Sequence, residues 1–275
     1  MNLLGLIVGT VAISWLGCKF ARYLLERWQI LDEPGNRSSH YVPIPRGGGI
    51  PVLGVTFCGW FILVQFGLGH VAEVCVISAL AMILGLVCWF DDIGDLSIQS
   101  RLFAQLLAVT IAIFLIPFDP MATGSFGDLW RICATIILWI WFINLFNFMD
   151  GIDGMTGVET VAITTGSALI FGFSGSEGDF SSLAIILSAA TVGFLFLNWH
   201  PAKLFLGDVG SIPLGFLLGW FLINLVVQGE WAAAVILPAY YLTDATLTLC
   251  HRAVKLEAVW KPHKSHFYQR AVAGR

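Results

Sequence analysis

Long apolar stretches recur along the whole chain, and short polar segments separate them. A helix that crosses a bilayer needs about 20 mostly apolar residues. The pattern therefore predicts about nine membrane-spanning helices, which cover Leu3–Leu24, Ile50–Leu68, Val71–Phe90, Leu102–Phe118, Ile132–Phe148, Val158–Phe173, Leu183–Trp199, Ile212–Val227 and Ala232–Cys250. The longest polar segment between them, Arg27–Gly49, leaves no room for a second domain. We expect an all-α, polytopic membrane protein that forms a single membrane-embedded domain over residues 1–275.

The composition agrees with this pattern. Of the 275 residues, 57% are hydrophobic and 12% are charged, whereas a soluble domain carries about 25% charged residues. These values argue against a water-soluble enzyme and against a disordered chain. The net charge of −4 offers no basic surface for nucleic acid. The six cysteines form no C-x-x-C pair, and we interpret them as small hydrophobic side chains.

The distribution of Lys and Arg predicts the orientation, because these residues are retained on the cytoplasmic side. With the N-terminus outside, the cytoplasmic segments hold every Lys and Arg of the chain except Arg131. The opposite orientation would reverse this ratio. We therefore expect the N-terminus outside and the C-terminus in the cytoplasm.

This orientation brings three groups of acidic residues to the same cytoplasmic face: Asp91, Asp92 and Asp95, then Asp150 and Asp153, then Asp208. Aspartate is common in polar loops, and a solvated helix end would explain the first group alone. Three groups on one face, with Arg101 as the nearby cation, indicate a functional site. A divalent metal that carries a diphosphate would neutralise them, because Mg²⁺ prefers carboxylates together with phosphate oxygens.

Two further stretches place polar residues beside these acids. Asn144, Asn147, Asp150 and Asp153 recur every three positions, which predicts a polar stripe that descends the fifth span. Buried amides in a membrane must find partners, and a metal or a nucleotide provides them. In Gly207-Asp-Val-Gly-Ser211, a simple N-cap by Ser211 is the alternative, but it leaves the aspartate unexplained.

Two basic segments complete the cytoplasmic face. In Arg46-Gly47-Gly48-Gly49 the glycines can present backbone N–H groups to an anion, although a plain turn into the second span fits these residues equally well. Near the C-terminus, His263 and His266 lie in a basic stretch that suits pyrophosphate. Retention of positive charge in the cytoplasm explains the Lys and Arg of this stretch but not the two histidines.

In combination these motifs resemble one known family, the polyprenyl-phosphate N-acetylhexosamine-1-phosphate transferases of glycosyltransferase family 4. The motifs are Pro-Arg-Gly-Gly-Gly, Asp-Asp-Ile-Gly-Asp, Asn-x-x-Asn-x-x-Asp-Gly-Ile-Asp-Gly, Phe-Leu-Gly-Asp-Val-Gly-Ser and a late His motif, in order between about residues 32 and 270. The chain is most similar to members that initiate O-antigen or related bacterial surface glycans. The resemblance implies an enzyme of the bacterial inner membrane that transfers a sugar-1-phosphate from a UDP-N-acetylhexosamine to undecaprenyl phosphate and releases UMP.

The resemblance also implies roles for particular residues. Mg²⁺, with Mn²⁺ as an alternative, would be held by Asn147 and Asp208, and the catalytic pair Asp91 and Asp92 would deprotonate or position the lipid phosphate. The motifs and the resemblance together predict the following substrate contacts: Arg46, Gly48, Asp95, Arg101, Asn144, Asp150, Asp153, His263 and His266.

The chain departs from the family pattern at three places. Ser265 replaces a histidine, and Ile212-Pro213 follows Ser211 where a small residue is more usual. Relatives also continue into one or two further spans, so we expect a chain truncated at its C-terminus.

Two alternative functions and several details stay open. An ion-coupled transporter is the main alternative, although Asp244 is the one acidic residue clearly within a span and transporters keep ionisable groups near the midplane. An alcohol phosphotransferase would need the continuation Asp-Gly-x-x-Ala-Arg, which is missing. The sequence identifies neither the sugar nor the glycan pathway, and it leaves a homodimer open.

Overall fold

The computed structural model describes residues 2–34, 42–94, 96–116, 124–174, 179–256, 267 and 269–270, with the backbone alone for 92–94 and 124–128. Within these ranges the chain is almost entirely helical. The helices are α1 (Leu3–Arg27), α2 (Gly49–Gln65), α3 (Val71–Gly94), α4 (Ile98–Ile113), α5 (Gly124–Phe148), α6 (Met155–Ser174), α7 (Phe180–Asn198), α8 (Asp208–Val227), α9 (Trp231–Ile236) and α10 (Ala239–Val254). Two short strands, β1 (Leu31–Asp32) and β2 (Ile44–Pro45), pair antiparallel between α1 and α2.

Eight of the predicted spans correspond to one helix each. Among the described residues, six helices are long and apolar enough to cross a bilayer, while α2 and α4 are shorter apolar helices. The prediction of an all-helical, multi-pass membrane protein is confirmed, whereas the count of nine spans is not.

The last predicted span, Ala232–Cys250, is wrong as a single helix. The chain forms α9, which ends at Ile236, departs from helical backbone angles at Pro238, and resumes as α10 at Ala239. Proline lacks the N–H that an uninterrupted helix needs at this point, and its ring clashes with the preceding turn. The break therefore follows from Pro238, which the count of apolar residues ignores.

The core of the bundle is α8, most of whose residues are buried. It packs against α3 and α5, and small residues on α8 allow the close approach to α5. A Cβ atom added at Gly219 would clash with Trp139, and one at Gly215 would lie 3.1 Å from Cα of Ile143. Such spacing of small residues by four is typical of closely packed membrane helices. The Trp139 indole N–H also donates to the Phe216 carbonyl at 3.0 Å.

The connections at one end of the bundle bring distant segments together. The end of β2 and the residues after it run alongside the loop between α7 and α8, where Phe205 donates its backbone N–H to the carbonyl of Pro45, the last residue of β2, at 2.8 Å. At this same end α3, α5 and α7 finish, and α4, α6 and α8 begin. The acidic residues singled out from the sequence lie at these helix ends, so the fold brings them close to one another.

Candidate active site

Four charged side chains of alternating sign form the centre of the site. Arg101, in the first turn of α4, lies 2.9 Å from the carboxylate of Asp91 at the end of α3. The same nitrogen is 3.6 Å from Asp208 at the start of α8, and Asp208 also pairs with Arg46 after β2. All four side chains are partly exposed, between 13% and 33%, so the cluster is accessible to a ligand. We call these four residues the charge cluster.

The three glycines after Arg46 hold this loop against α7 and α8. The N–H groups of Gly47 and Gly48 donate to the Phe205 carbonyl at 3.1 and 2.8 Å, and that of Gly49 donates to Leu206. A side chain at Gly49 would clash with Gly210. The structure therefore uses these amides, including the one expected from Gly48, within the protein rather than presenting them to an anion. The glycines permit close approach, which fixes Arg46 beside Asp208.

The start of α8 excludes the alternative that Ser211 is its N-cap. The helix begins at Asp208, the capping position is Gly207 with φ of 77°, and no side chain caps it. The Ser211 hydroxyl instead accepts a hydrogen bond from the amide nitrogen of Asn147 at 2.7 Å. Asp208 thus lies in the first helical turn, where the helix dipole favours a negative charge.

Asn147, in the last turn of α5, thus contacts the first turn of α8, which also carries Asp208. Because the side-chain nitrogen of Asn147 donates to Ser211, the side-chain oxygen of the same amide is the atom that would bind a metal. Among the described residues no three His, Cys, Asp or Glu side chains group closely enough to bind a metal by themselves. Mg²⁺ commonly takes one or two protein carboxylates and completes its shell with substrate phosphates and water. The donor set fits a Mg²⁺ ion that binds together with a diphosphate.

The loop between α5 and α6 adds two more acids. Burial and, less strongly, the negative charge of Asp208 raise the pKa of Asp150, and a hydrogen bond with Thr156 and the charge of Arg46 oppose them, so that the pKa is about 6. Asp153 accepts hydrogen bonds from the His200 ring at 2.8 Å and from the backbone N–H of Ala202 at 3.0 Å. Asp150 therefore adds charge beside the cluster, whereas Asp153 also anchors the loop between α7 and α8.

The polar stripe on α5 divides into two parts with different contacts. Asn144 donates to Gln105 on α4 at 2.7 Å and to the carbonyl of Ile140 at 2.8 Å. It therefore ties α5 to α4, one turn before Asn147 reaches the start of α8. The substrate contact expected from Asn144 has no direct support in this geometry.

Several sequence predictions concern residues beyond this geometry. Asp95, His263 and His266 lie outside the described residues, and Asp92 is described only by its backbone in the last turn of α3. Asp244, the acid within the last apolar stretch, accepts hydrogen bonds from the Thr248 hydroxyl at 3.2 Å and from the Phe267 backbone N–H at 3.0 Å.

Sequence reasoning missed three contributors. His200 and Thr156 bond to the loop acids, but nothing in their local sequence distinguishes them from ordinary loop and helix residues. Gln105 did carry a signal, because a polar side chain within an apolar span requires a partner.

An apolar groove of about 690 Å³ lies between α1 and α2. Its walls include Phe20 and Leu24 on α1 and Gly54 on α2, and its end is formed by Gly47 and Trp89. Gly47 follows Arg46 in the chain, and Trp89 precedes Asp91 by two residues. The groove therefore runs from the apolar surface of the bundle towards the charge cluster.

Together, the helical bundle and the charge cluster define a class: a multi-pass membrane protein with a cluster of paired Arg and Asp side chains at one end. A profile of glycosyl transferase family 4 matches residues 74–226, which span α3 to α8 and include Asp91, Arg101, Asn147 and Asp208. The chain belongs to this family, and the resemblance inferred from its motifs is confirmed.

Individual relatives have related activities. The chain is 28% identical over 254 residues to a probable undecaprenyl-phosphate N-acetylglucosaminyl 1-phosphate transferase of Bacillus subtilis, and the aligned region covers 88% of this chain and 70% of the relative. It is 26% identical to the Escherichia coli K12 undecaprenyl-phosphate alpha-N-acetylglucosaminyl 1-phosphate transferase, over 98% of this chain and 77% of the relative. A phospho-N-acetylmuramoyl-pentapeptide-transferase of Desulforamulus reducens is 34% identical over 64% of this chain and 58% of its own length. These relatives are transferases, and they lend no support to an ion-coupled transporter.

Proposed function

We propose that the protein transfers a sugar-1-phosphate from a UDP-N-acetylhexosamine to undecaprenyl phosphate. A phosphate oxygen of the lipid forms a bond to the phosphorus that carries the sugar. The bridging P–O bond of the donor breaks, and UMP leaves with the bridging oxygen. The lipid product is undecaprenyl diphosphate linked to the sugar. As in the resembling family, this step would initiate a surface glycan, of the O-antigen type, in the bacterial inner membrane.

The observation that carries this proposal is the charge cluster at one end of a membrane bundle. Both reactants are anions and repel each other, so the site needs positive charge where they meet. Arg46 and Arg101 supply it from two separate segments, and Asp208 and Asp91 hold their guanidinium groups in place. Oriented cations of this kind stabilise the charge that develops on the leaving phosphate, and arginine pairs well with phosphate oxygens.

The reaction belongs at the cytoplasmic face, because one substrate is dissolved in the cytosol and the other is held in the bilayer. The distribution of Lys and Arg supports this orientation. Asp91 and Asp92 then position the acceptor. A phosphate monoester has a second pKa near 6, so it is mostly dianionic at neutral pH, and a carboxylate would remove its remaining proton only at lower pH.

Magnesium fits the same site. Asn147 and Asp208 would hold it, and a bound Mg²⁺ would screen the negative charge of the diphosphate. The acids that surround the cluster support this assignment, because within the described residues they outnumber the two arginines. Asp150 interacts with the negative charges of Asp208 and Asp32 and with the positive charge of Arg46.

The groove between α1 and α2 supports a lipid acceptor. A polyprenyl chain is apolar throughout, and the groove is apolar along its length. The groove is lined at one end by Gly47 and Trp89, which are close to Arg46 and Asp91 in the chain, so we expect a lipid chain lying in it to place its phosphate near the charge cluster.

The decisive experiment incubates the purified protein with undecaprenyl phosphate, Mg²⁺ and a panel of UDP-sugars, and follows the release of UMP. We expect release with at least one UDP-N-acetylhexosamine, and only when the lipid phosphate is present. Formation of a lipid-linked sugar should match UMP in amount. If no UDP-sugar yields UMP while a labelled solute is taken up into vesicles that contain the protein, the transporter becomes the better explanation.

A further inference from the structure

Tyr241, in the first turn of α10, contacts both helices that flank the acidic loop between α5 and α6. Its side chain is fully buried. The hydroxyl group lies 3.1 Å from the hydroxyl of Thr156, in the first turn of α6. The ring packs against Phe146 in the last turn of α5, with 5.3 Å between the ring centroids. One side chain of α10 therefore touches the helix before the loop and the helix after it.

The hydrogen bond between the two hydroxyl groups has a defined direction. Thr156 forms a side-chain hydrogen bond with Asp150, and an ionised carboxylate can only accept. A threonine hydroxyl has a single proton. Because Thr156 donates that proton to Asp150, Tyr241 must donate to the Thr156 oxygen. The result is a chain of hydrogen bonds from Tyr241 through Thr156 to the acid that lies beside the charge cluster.

The backbone of Tyr241 is held as well. Leu242 donates its N–H to the carbonyl of Pro238 at 3.0 Å, and the N–H of Tyr241 lies one residue earlier, among those that a helix start leaves without a partner in the helix. It donates to the buried carboxylate of Glu159 on α6. The N-cap residue of α10 is Pro238, whose side chain cannot accept a hydrogen bond. Glu159 thus supplies from α6 the acceptor that a capping side chain usually provides.

We propose that Tyr241 is a positioning residue for the transfer reaction, which holds the Asp150 carboxylate in place through Thr156 and is itself fixed by Glu159. The inference rests on the proposed function, because it assigns a role within the same site. Phosphoryl transfer depends on how firmly the charged groups around the reactants are held. The helix α10 therefore contributes to the site by orienting a carboxylate that belongs to a different part of the chain.

The loop needs support of this kind. Gly154 adopts a φ of 76°, and glycine gives a backbone wide conformational freedom. Asp153 is tied to the loop between α7 and α8 through the backbone N–H of Ala202 at 3.0 Å. Tyr241 provides the corresponding tie for Asp150, from α10. The two acids of the loop are thus held by two separate segments.

The test is a double-mutant cycle on kcat/KM for UMP release. Tyr241→Phe removes the hydroxyl and keeps the ring packed against Phe146, so kcat/KM should fall about threefold to tenfold through the loss of one hydrogen bond. Asp150→Ala removes the carboxylate that the hydrogen bonds orient. In that background Tyr241→Phe should cause no further loss, because residues that act through one another are not additive. Additive losses would overturn the proposal.

Matched variants separate hydrogen bonding from packing. Thr156→Val removes a hydroxyl at nearly constant volume and should lower kcat/KM at least as much as Tyr241→Phe, whereas Thr156→Ser should stay close to wild type. Glu159→Gln keeps an acceptor for the backbone N–H and should retain more activity than Glu159→Ala. Tyr240→Phe removes a hydroxyl from the neighbouring side chain, which is 53% exposed, and should leave kcat/KM unchanged. Equal losses in Thr156→Ser and Thr156→Val would show that shape alone matters, and the proposal would be wrong.

The unfolding temperature gives a readout that needs no substrate. Measured in detergent for the same cycle, the effects of Tyr241→Phe and Asp150→Ala should again be non-additive. If this coupling is present but the wild-type protein releases no UMP, the proposed function is wrong while the link between Tyr241 and Asp150 stands. If the wild-type protein releases UMP and Tyr241→Phe has the same kcat/KM, the proposed function stands and the positioning role is refuted.

Discussion

Removal of the Arg101 charge is the sharpest test of the charge cluster. The guanidinium group lies between two carboxylates, with one nitrogen at 2.9 Å from Asp91 and 3.6 Å from Asp208. In Arg101→Gln the side chain still reaches this region but carries no charge. The two carboxylates are then left facing each other, and one of the two cations that would screen the phosphates is lost.

The expected magnitude follows from these distances. Two carboxylates on either side of one nitrogen are about 6 Å apart, and at an effective dielectric constant of ~20 they repel by about 3 kcal/mol. Since all three side chains are partly exposed, water screens the pair and reduces this to about 1–2 kcal/mol. We therefore expect a lower unfolding temperature and a fall in the rate of UMP release of about tenfold to a hundredfold.

The assay measures both quantities in detergent, with and without millimolar Mg²⁺. A divalent cation would replace the lost positive charge, so Mg²⁺ should raise the unfolding temperature of the variant more than that of the wild-type protein. Arg22→Gln is the matched control, because Arg22 also pairs with a carboxylate, Glu26 at 2.7 Å, but on the exposed face of α1. It should change neither quantity. A wild-type rate and unfolding temperature in Arg101→Gln would refute the role given to the cluster.

Three other predictions test neighbouring features. Asp150 keeps its proton to about pH 6 in the folded state but only to about pH 4 when unfolded, so its contribution to stability is lost as the pH rises through about 6. Asp150→Asn should therefore gain about 1–3 kcal/mol in stability relative to wild type between pH 4 and 7. Parallel pH profiles of the unfolding temperature for the two proteins would contradict this. EDTA should abolish UMP release, and Asp208→Asn should raise the Mg²⁺ concentration for half-maximal rate about tenfold or more; unchanged Mg²⁺ dependence would remove Asp208 from the metal site. Gly54→Leu should fill the groove and raise the KM for undecaprenyl phosphate. Gly9→Leu also places a side chain in open space, but outside the groove, and should leave this KM unchanged. Equal KM values for the two variants would argue that the polyprenyl chain lies elsewhere.

The sequence was sufficient to predict which segments form helices and which acids share one face. Both predictions rest on patterns that a single chain displays directly, namely apolar length and the distribution of Lys and Arg. The break at Pro238 was also available, since proline lacks the N–H that a continuous helix requires. It was missed because counting apolar residues gives proline no special weight.

The pairings within the site were less predictable. Arg46 was expected to accompany glycine amides that bind an anion, but those amides bond to Phe205 and Leu206. This arrangement depends on two loops more than 150 residues apart in the chain, and local sequence carries no information about such contacts. The same reason explains why His200 was overlooked as a partner of Asp153.

The contact between α5 and α8 shows how packing positions the chemistry. Trp139 meets Gly219, Ile143 meets Gly215, and Asn147 meets Ser211. Each step moves four residues along one helix and four residues back along the other, as expected for two antiparallel helices in close contact. The small residues at 211, 215 and 219 therefore set the register that delivers Asn147 to the start of α8, where Asp208 lies.

This register links substitutions deep in the bundle to the proposed metal site. A side chain larger than glycine at position 215 or 219 would press on α5, and a shift of one helix relative to the other would separate Asn147 from Ser211. The hydrogen bond between Gln105 on α4 and Asn144 on α5 also fixes α5, one turn before Asn147 contacts Ser211. The Asn-x-x-Asn spacing is explained by these two contacts, because its first amide fixes α5 against α4 and its second reaches the start of α8. A polar stripe that suggested one ligand from the sequence thus serves two purposes, and only the second of its amides lies where a metal and a diphosphate would bind.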